Sequence, residues 1–94
     1  MEKLKKMYGK KSYANDRRKL NRKLKKAGIK YTWQKLYEGY AWLFPKFPGG
    51  DAAIHAGTYG NKRGYFETYR MPWDDGDVSI LSADELIEKL QKGK

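Results

Sequence analysis

Charge is distributed along this chain so unevenly that its two parts cannot fold by the same means. Residues 1 to 30 hold 13 of the 21 Lys and Arg against only Glu2 and Asp16, a surplus of 11, whereas residues 31 to 94 carry 8 basic and 9 acidic groups. Aromatic side chains run the other way, with 12 of 14 beyond residue 30. Each of these rings buries a large area, so a core must be built from the second part, and the cationic part can join it only through one face of a helix. A surplus confined to one end is also a localised field that attracts polyanions.

Ninety-four residues form one domain, which on folding buries roughly 60 to 65% of the surface of the extended chain. With no Cys, disulfides, thiolate zinc sites and Cys nucleophiles are excluded. No apolar run approaches the ~20 residues of a membrane span. The Lys-rich start lacks the apolar segment of a secretory signal and the Ser enrichment of a transit peptide. The expectation is a cytoplasmic protein with no membrane partner.

Along the chain, residues 1 to 11 read as a flexible basic arm and residues 12 to 94 as a single α+β domain. Gly9 and the flanking lysines disfavour a stable helix in the arm, although Leu4, Met7 and Tyr8 offer an amphipathic turn to a partner. A basic helix is expected over 12 to 28. Ser12 is placed to cap it, Tyr13, Leu20, Leu24 and Ala27 recur on one stripe, and Gly28 followed by Ile29 forms a Schellman stop against Leu24. Arg17, Arg18, Arg22, Lys23, Lys25 and Lys26 occupy the arc away from that stripe.

Residues 30 to 45 carry two competing patterns. Trp33, Leu36, Tyr37, Tyr40, Ala41 and Phe44 match a helix, while Tyr40, Trp42 and Phe44 alternate as in a strand. The aromatic content and Gly39 favour a short turn of helix or strand near 31 to 36, then a strand from about Tyr37 to Phe44. Ala52 to Ala56 reads as a small-residue strand, and Gly57 to Gly64 as a hairpin loop with Lys62 and Arg63 at its tip. Tyr65 to Tyr69 alternates cleanly, with Phe66 inward. Ser82 and Glu85 form a capping box before the stripe Leu86, Ile87 and Leu90. The expected architecture is a basic N-terminal helix, a small antiparallel sheet of three to four strands over 37 to 81, and a C-terminal helix over 82 to 91.

Chemistry is sparse. The single His, His55, lies among Ala and Ile in a strand, where a satisfied, partly buried imidazole outweighs a general base. Asp74, Asp75 and Asp77 form the only acidic cluster. They lack the distant Glu of an EF-hand loop, so a turn or an acidic protein-interaction knuckle is preferred to a metal site. Neither phosphate-binding glycine fingerprint is present. No catalytic residue, metal or cofactor is assigned. Tyr8, Tyr13, Tyr31, Tyr59, Tyr65 and Tyr69 are candidates to stack on bases near Lys or Arg.

The function expected is a small non-enzymatic protein that binds DNA or RNA, or a nucleoprotein complex. Its contacts are Lys10, Lys11, Arg17, Arg18, Arg22, Lys23, Lys25 and Lys26, with Lys62 and Arg63 as a second point. Size and the separation of opposite charges also fit an inhibitor that blocks a nucleic-acid-handling protein, as phage-encoded anti-defence proteins such as anti-CRISPRs do. A third alternative is a metal-independent ribonuclease of the toxin kind, built on His55 with scattered Lys, Arg and Tyr.

Overall fold

A helix carrying seven Lys and Arg in thirteen residues stays on a folded body only if its apolar stripe is well seated, and the computed structural model, which describes Tyr13 to Lys92, has this arrangement. Helix α1 spans Ala14–Lys26. Tyr13, Leu20 and Leu24 are buried along one side of it. It stops as its sequence dictates: the Gly28 N–H donates to the Lys25 carbonyl at 3.1 Å and the Ile29 N–H to the Leu24 carbonyl at 3.0 Å. These two bonds are the Schellman pair, and Gly28 takes the left-handed φ of 72° that they require. The arm over 1 to 11 and the Ser12 cap lie outside the described residues. Among those described, Tyr13 holds the capping position and makes no side-chain capping bond.

Five strands follow: β1 Thr32–Leu36, β2 Gly39–Leu43, β3 Asp51–Ile54, β4 Phe66–Tyr69 and β5 Val78–Leu81. Each pairs antiparallel with the next, in the order β1-β2-β3-β4-β5. The helix α2, Ala83–Lys92, closes the chain. The α+β expectation is met, with five strands in place of three to four. The extra strand is β1. Tyr37 and Glu38, expected to begin a strand, form instead a two-residue turn between β1 and β2 with φ of 48° and 67°. Turns of this shape favour Asn-Gly or Asp-Gly, and neither is present to signal it. The sheet therefore begins at residue 32, not 37.

The register divides the sheet into two unlike faces. Pairing Tyr40 with Ile54, Trp42 with Ala52, and Ala52 with Thr68 puts these residues and Phe66 on one side. That side joins Leu20 and Leu24 of α1 and Ala83, Leu86 and Leu90 of α2 in one buried core. Trp42 sits at its centre, edge-on to Phe66 at 5.4 Å, with its Nε1–H donating to Asn21 Oδ1 of α1 at 2.7 Å. The other side alternates Ala41, Leu43, Asp51, Ala53, Glu67, Tyr69 and Val78, and there Leu43 is 52% exposed. The capping box of α2 is complete. The Glu85 N–H donates to Ser82 Oγ at 3.1 Å and the Ser82 N–H to Glu85 Oε1 at 2.8 Å.

Gly28 and Gly39 are required for different reasons, which a paired substitution separates. A Cβ on Gly28 meets nothing within 4 Å, so Gly28→Ala costs only the left-handed backbone, about 1 kcal/mol. A Cβ on Gly39 lies 2.0 Å from the Ile54 carbonyl oxygen and 2.6 Å from the His55 Cα, so it must push β2 away from β3. In urea unfolding followed by Trp fluorescence, Gly28→Ala shifts the midpoint modestly, and Gly39→Ala abolishes the cooperative transition.

Candidate nucleic-acid interface

At about 100° per residue, the seven cations of α1 fall into three groups around the buried direction set by Leu20 and Leu24. Arg18, Lys19, Arg22, Lys25 and Lys26 point outward within an arc of about 120°, and all five are exposed. Arg17 leans to one flank. Its guanidinium carbon lies 4.8 Å from the ring centre of Trp33 and 5.0 Å from that of Tyr40, a cation over two aromatic rings. Lys23 leans to the other flank, where its Nζ is 2.7 Å from Asp84 Oδ1 at the start of α2. That hydrogen bond first, and the Lys23 charge second, hold the Asp84 carboxyl below its usual range.

The two inward cations therefore have partners within the fold. Among the described residues, none of the five outward ones is in a salt bridge. Arg18 to Lys26 covers roughly 12 Å of helix at 1.5 Å per residue, a length over which duplex DNA carries about seven phosphates.

The loop between β3 and β4 abuts the opening turn of α1. It contains a single 3-10 turn, Asn61–Arg63, on which Lys62 and Arg63 are exposed. Tyr13 donates its hydroxyl hydrogen to Asn61 Oδ1 at 2.8 Å, and Asp16 Oδ1 lies 2.9 Å from where a Cβ on Gly64 would fall. Burial, followed by the negative charges of Asp16 and Glu38, raises the Tyr13 hydroxyl's pKa and keeps it a donor. Tyr13, a stacking candidate by sequence, is 4% exposed and belongs to this joint instead. Lys10, Lys11 and Tyr8 lie outside the described residues.

At the other end of α1, Lys25, Lys30, Tyr31, Trp33 and Pro45 line a shallow concavity. Sequence reasoning missed Trp33 as a surface residue. Its signal was available only through pairing, because β1 is an edge strand and Trp33 lies opposite Trp42 at its outer side.

The acidic cluster does not form one surface. Asp74 is buried: Oδ1 accepts the Thr68 hydroxyl hydrogen at 2.9 Å, and Oδ2 accepts the Met71 N–H at 3.0 Å. Trp73 Nε1–H in turn donates to Thr68 Oγ1 at 3.0 Å. Asp77 Oδ1 accepts the Val78 N–H at 2.8 Å, and Asp75 stands exposed at a φ of 52°. Of the trio expected to contact a protein, Asp74 is interior and only Asp75 and Asp77 are exposed, because a tight turn needs one carboxylate for its own donors. His55 is half-buried, with Nδ1 accepting the Gly57 N–H at 3.0 Å and its ring edge-on to Tyr37 at 5.4 Å. Among the described residues, no group of three or more His, Asp or Glu is arranged to hold a metal ion, and no helix is long and apolar enough to cross a membrane.

Compared with protein-family models, with curated proteins and with solved structures, the chain matches none.

Two predictions follow from these contacts. Asp74→Ala strands the Thr68 hydroxyl and the Met71 amide, and at roughly 1 to 3 kcal/mol for each buried unsatisfied group it destabilises by about 2 to 6 kcal/mol. Asp75→Ala loses no buried bond and gives up only the tolerance of Asp for its left-handed φ, about 1 kcal/mol or less. Denaturant midpoints at neutral pH check both. The Lys23–Asp84 pair adds stability that is complete above the ordinary carboxylate range and is lost as pH falls through the depressed folded value of Asp84. Asp84→Asn removes this acid-sensitive increment. Lys23→Met removes the same one, and the double variant loses no more than either single in acid-unfolding curves.

Proposed function

We propose that this protein binds nucleic acid, free or within a nucleoprotein, through the outward face of α1, and that it acts by occupancy and not by catalysis. The observation that carries this reading is the stripe of Arg18, Lys19, Arg22, Lys25 and Lys26 on one exposed arc of one helix. Like charges three and four residues apart disfavour a helix. Their crowding on one face is costly to the free protein and favourable beside a phosphate backbone. Lys62 and Arg63 extend the same field past the N-terminal end of α1. A cytoplasmic location accords with such a ligand.

The experiment is a salt titration of binding to a labelled oligonucleotide. With five to seven phosphates neutralised, the logarithm of the association constant falls against the logarithm of salt with a slope of about −4.5 to −6 on duplex DNA. Arg22→Gln and Lys26→Gln, both exposed, each reduce that slope by about 1 and weaken binding to every sequence alike. A slope near zero, or full binding by the double variant, overturns the proposal.

A second reading draws support from the uncovered face of the sheet, where Leu43, Tyr69 and Val78 are exposed beside Asp51 and Glu67. An apolar surface with acidic neighbours, turned away from the cationic helix, suits a protein partner. In this reading the chain blocks a nucleic-acid-handling protein in the manner of a phage anti-defence inhibitor. Capture of such a protein that survives nuclease treatment and is lost on Leu43→Glu supports it. Loss of all capture after nuclease removes it.

A further inference from the structure

We infer that the concavity at the C-terminal end of α1 receives an unpaired nucleobase, so that the preferred ligand is single-stranded: the base lies against Trp33, and Lys25 and Lys30 take the adjoining phosphates. This rests on the nucleic-acid reading above and names the form of its ligand.

Trp33 is 40% exposed on the edge strand β1, beside the cationic helix α1. It is also held in place. Tyr40 meets it edge-on at 5.5 Å and the Arg17 guanidinium covers part of it at 4.8 Å, so its remaining surface is offered in one orientation. A ring fixed before binding loses little conformational freedom when a second ring stacks on it. Tyr31 and Pro45 extend the apolar floor, and Lys25 and Lys30 line the same hollow. Lys25 is at once a wall of this hollow and a member of the outward stripe, which makes the phosphate track and the ring continuous.

Beyond Pro45 the floor passes into a cleft of about 350 Å³ lined by Phe44, Phe47 and Leu90, with Lys30 and Lys46 among its walls. The two hollows share Ile29, Lys30 and Pro45, so apolar side chains and lysines stand together along them, the pattern that serves single strands, whose bases have free faces. Neither hollow has a carboxylate among its lining residues, so its lysines meet no side-chain anion there. A duplex keeps its base faces stacked inside and can offer this hollow only its backbone.

The test compares a fluorescein-labelled dT12 or rU12 strand, a 12-base-pair duplex and polyglutamate, at one salt concentration, by anisotropy. The single strand binds more tightly than the duplex per phosphate and quenches Trp fluorescence. Trp33→Ala weakens single-strand binding about tenfold or more, leaving duplex affinity and the salt slope unchanged, while Trp33→Phe retains most of it. Melting temperatures confirm that both variants fold. Photocrosslinking the unaltered chain to a strand containing 5-iodouracil reads the same contact without a substitution, and the adduct falls on Trp33 or Tyr31.

Equal affinity for duplex and single strand, an indifferent Trp33→Ala, or an adduct elsewhere overturns this inference. The nucleic-acid reading survives those results provided the salt slope is steep. Binding to polyglutamate with none to either oligonucleotide overturns both, and points to an acidic protein.

Discussion

The display of positive charge in this protein depends on the seam where α1 meets the sheet, and Trp42 holds that seam. Seven cations on thirteen residues repel one another, and the helix macrodipole favours only those near the C-terminal end. Burial of Tyr13, Leu20 and Leu24 offsets the repulsion, since each fully buried large side chain contributes roughly 1.5 to 3 kcal/mol. Burial alone is not directional. The bond from Trp42 Nε1–H to Asn21 Oδ1 sets the rotation of α1 about its axis, and with it which cations face solvent.

That rotation sorts the cations by what they can do. Arg17 arrives over Trp33 and Tyr40, and Lys23 arrives at Asp84, so two of the seven become part of the fold. The remaining five share an arc because 3.6 residues per turn place positions 18, 19, 22, 25 and 26 together. A quarter turn of the helix would bury charge and expose Leu20. The same seam sets the stripe between the Lys62 and Arg63 turn, distant in sequence, near one end and the Trp33 hollow, which follows α1 in the chain, near the other. Both helices cover one side of the sheet, which leaves the opposite side with its own character, apolar with acidic neighbours.

Much of this was legible in order of locality. The capping box of Ser82 and Glu85, the Schellman stop at Gly28, the apolar stripe of α1 and the alternation around Phe66 all depend on contacts within a few residues, and each is present. What escaped depended on partners distant in sequence or on unusual backbone. Residues 31 to 36 read equally as a turn of helix or a strand, and with no turn signature at Tyr37 and Glu38 to mark a hairpin, only the pairing with β2 decides that β1 is a strand. Asp74 looked like its neighbours Asp75 and Asp77. Only the closing of its loop onto Thr68 and Met71 makes it an interior acceptor. Tyr13 looked equally suited to stacking and to burial, and the loop from the far side of the sheet decided it.

By itself the sequence determined that positive charge would reside on a helix, that aromatic residues would contribute to the core, and that the helix termini would fall at Gly28 and Ser82. Charge, ring area and capping bonds are local properties, written into neighbouring residues. Tertiary structure alone decided which cations remain in solvent, that Trp33 stands at an open edge, and that one of three adjacent aspartates is interior. Those outcomes follow from strand pairing and helix rotation, which are settled by contacts between residues far apart in the chain.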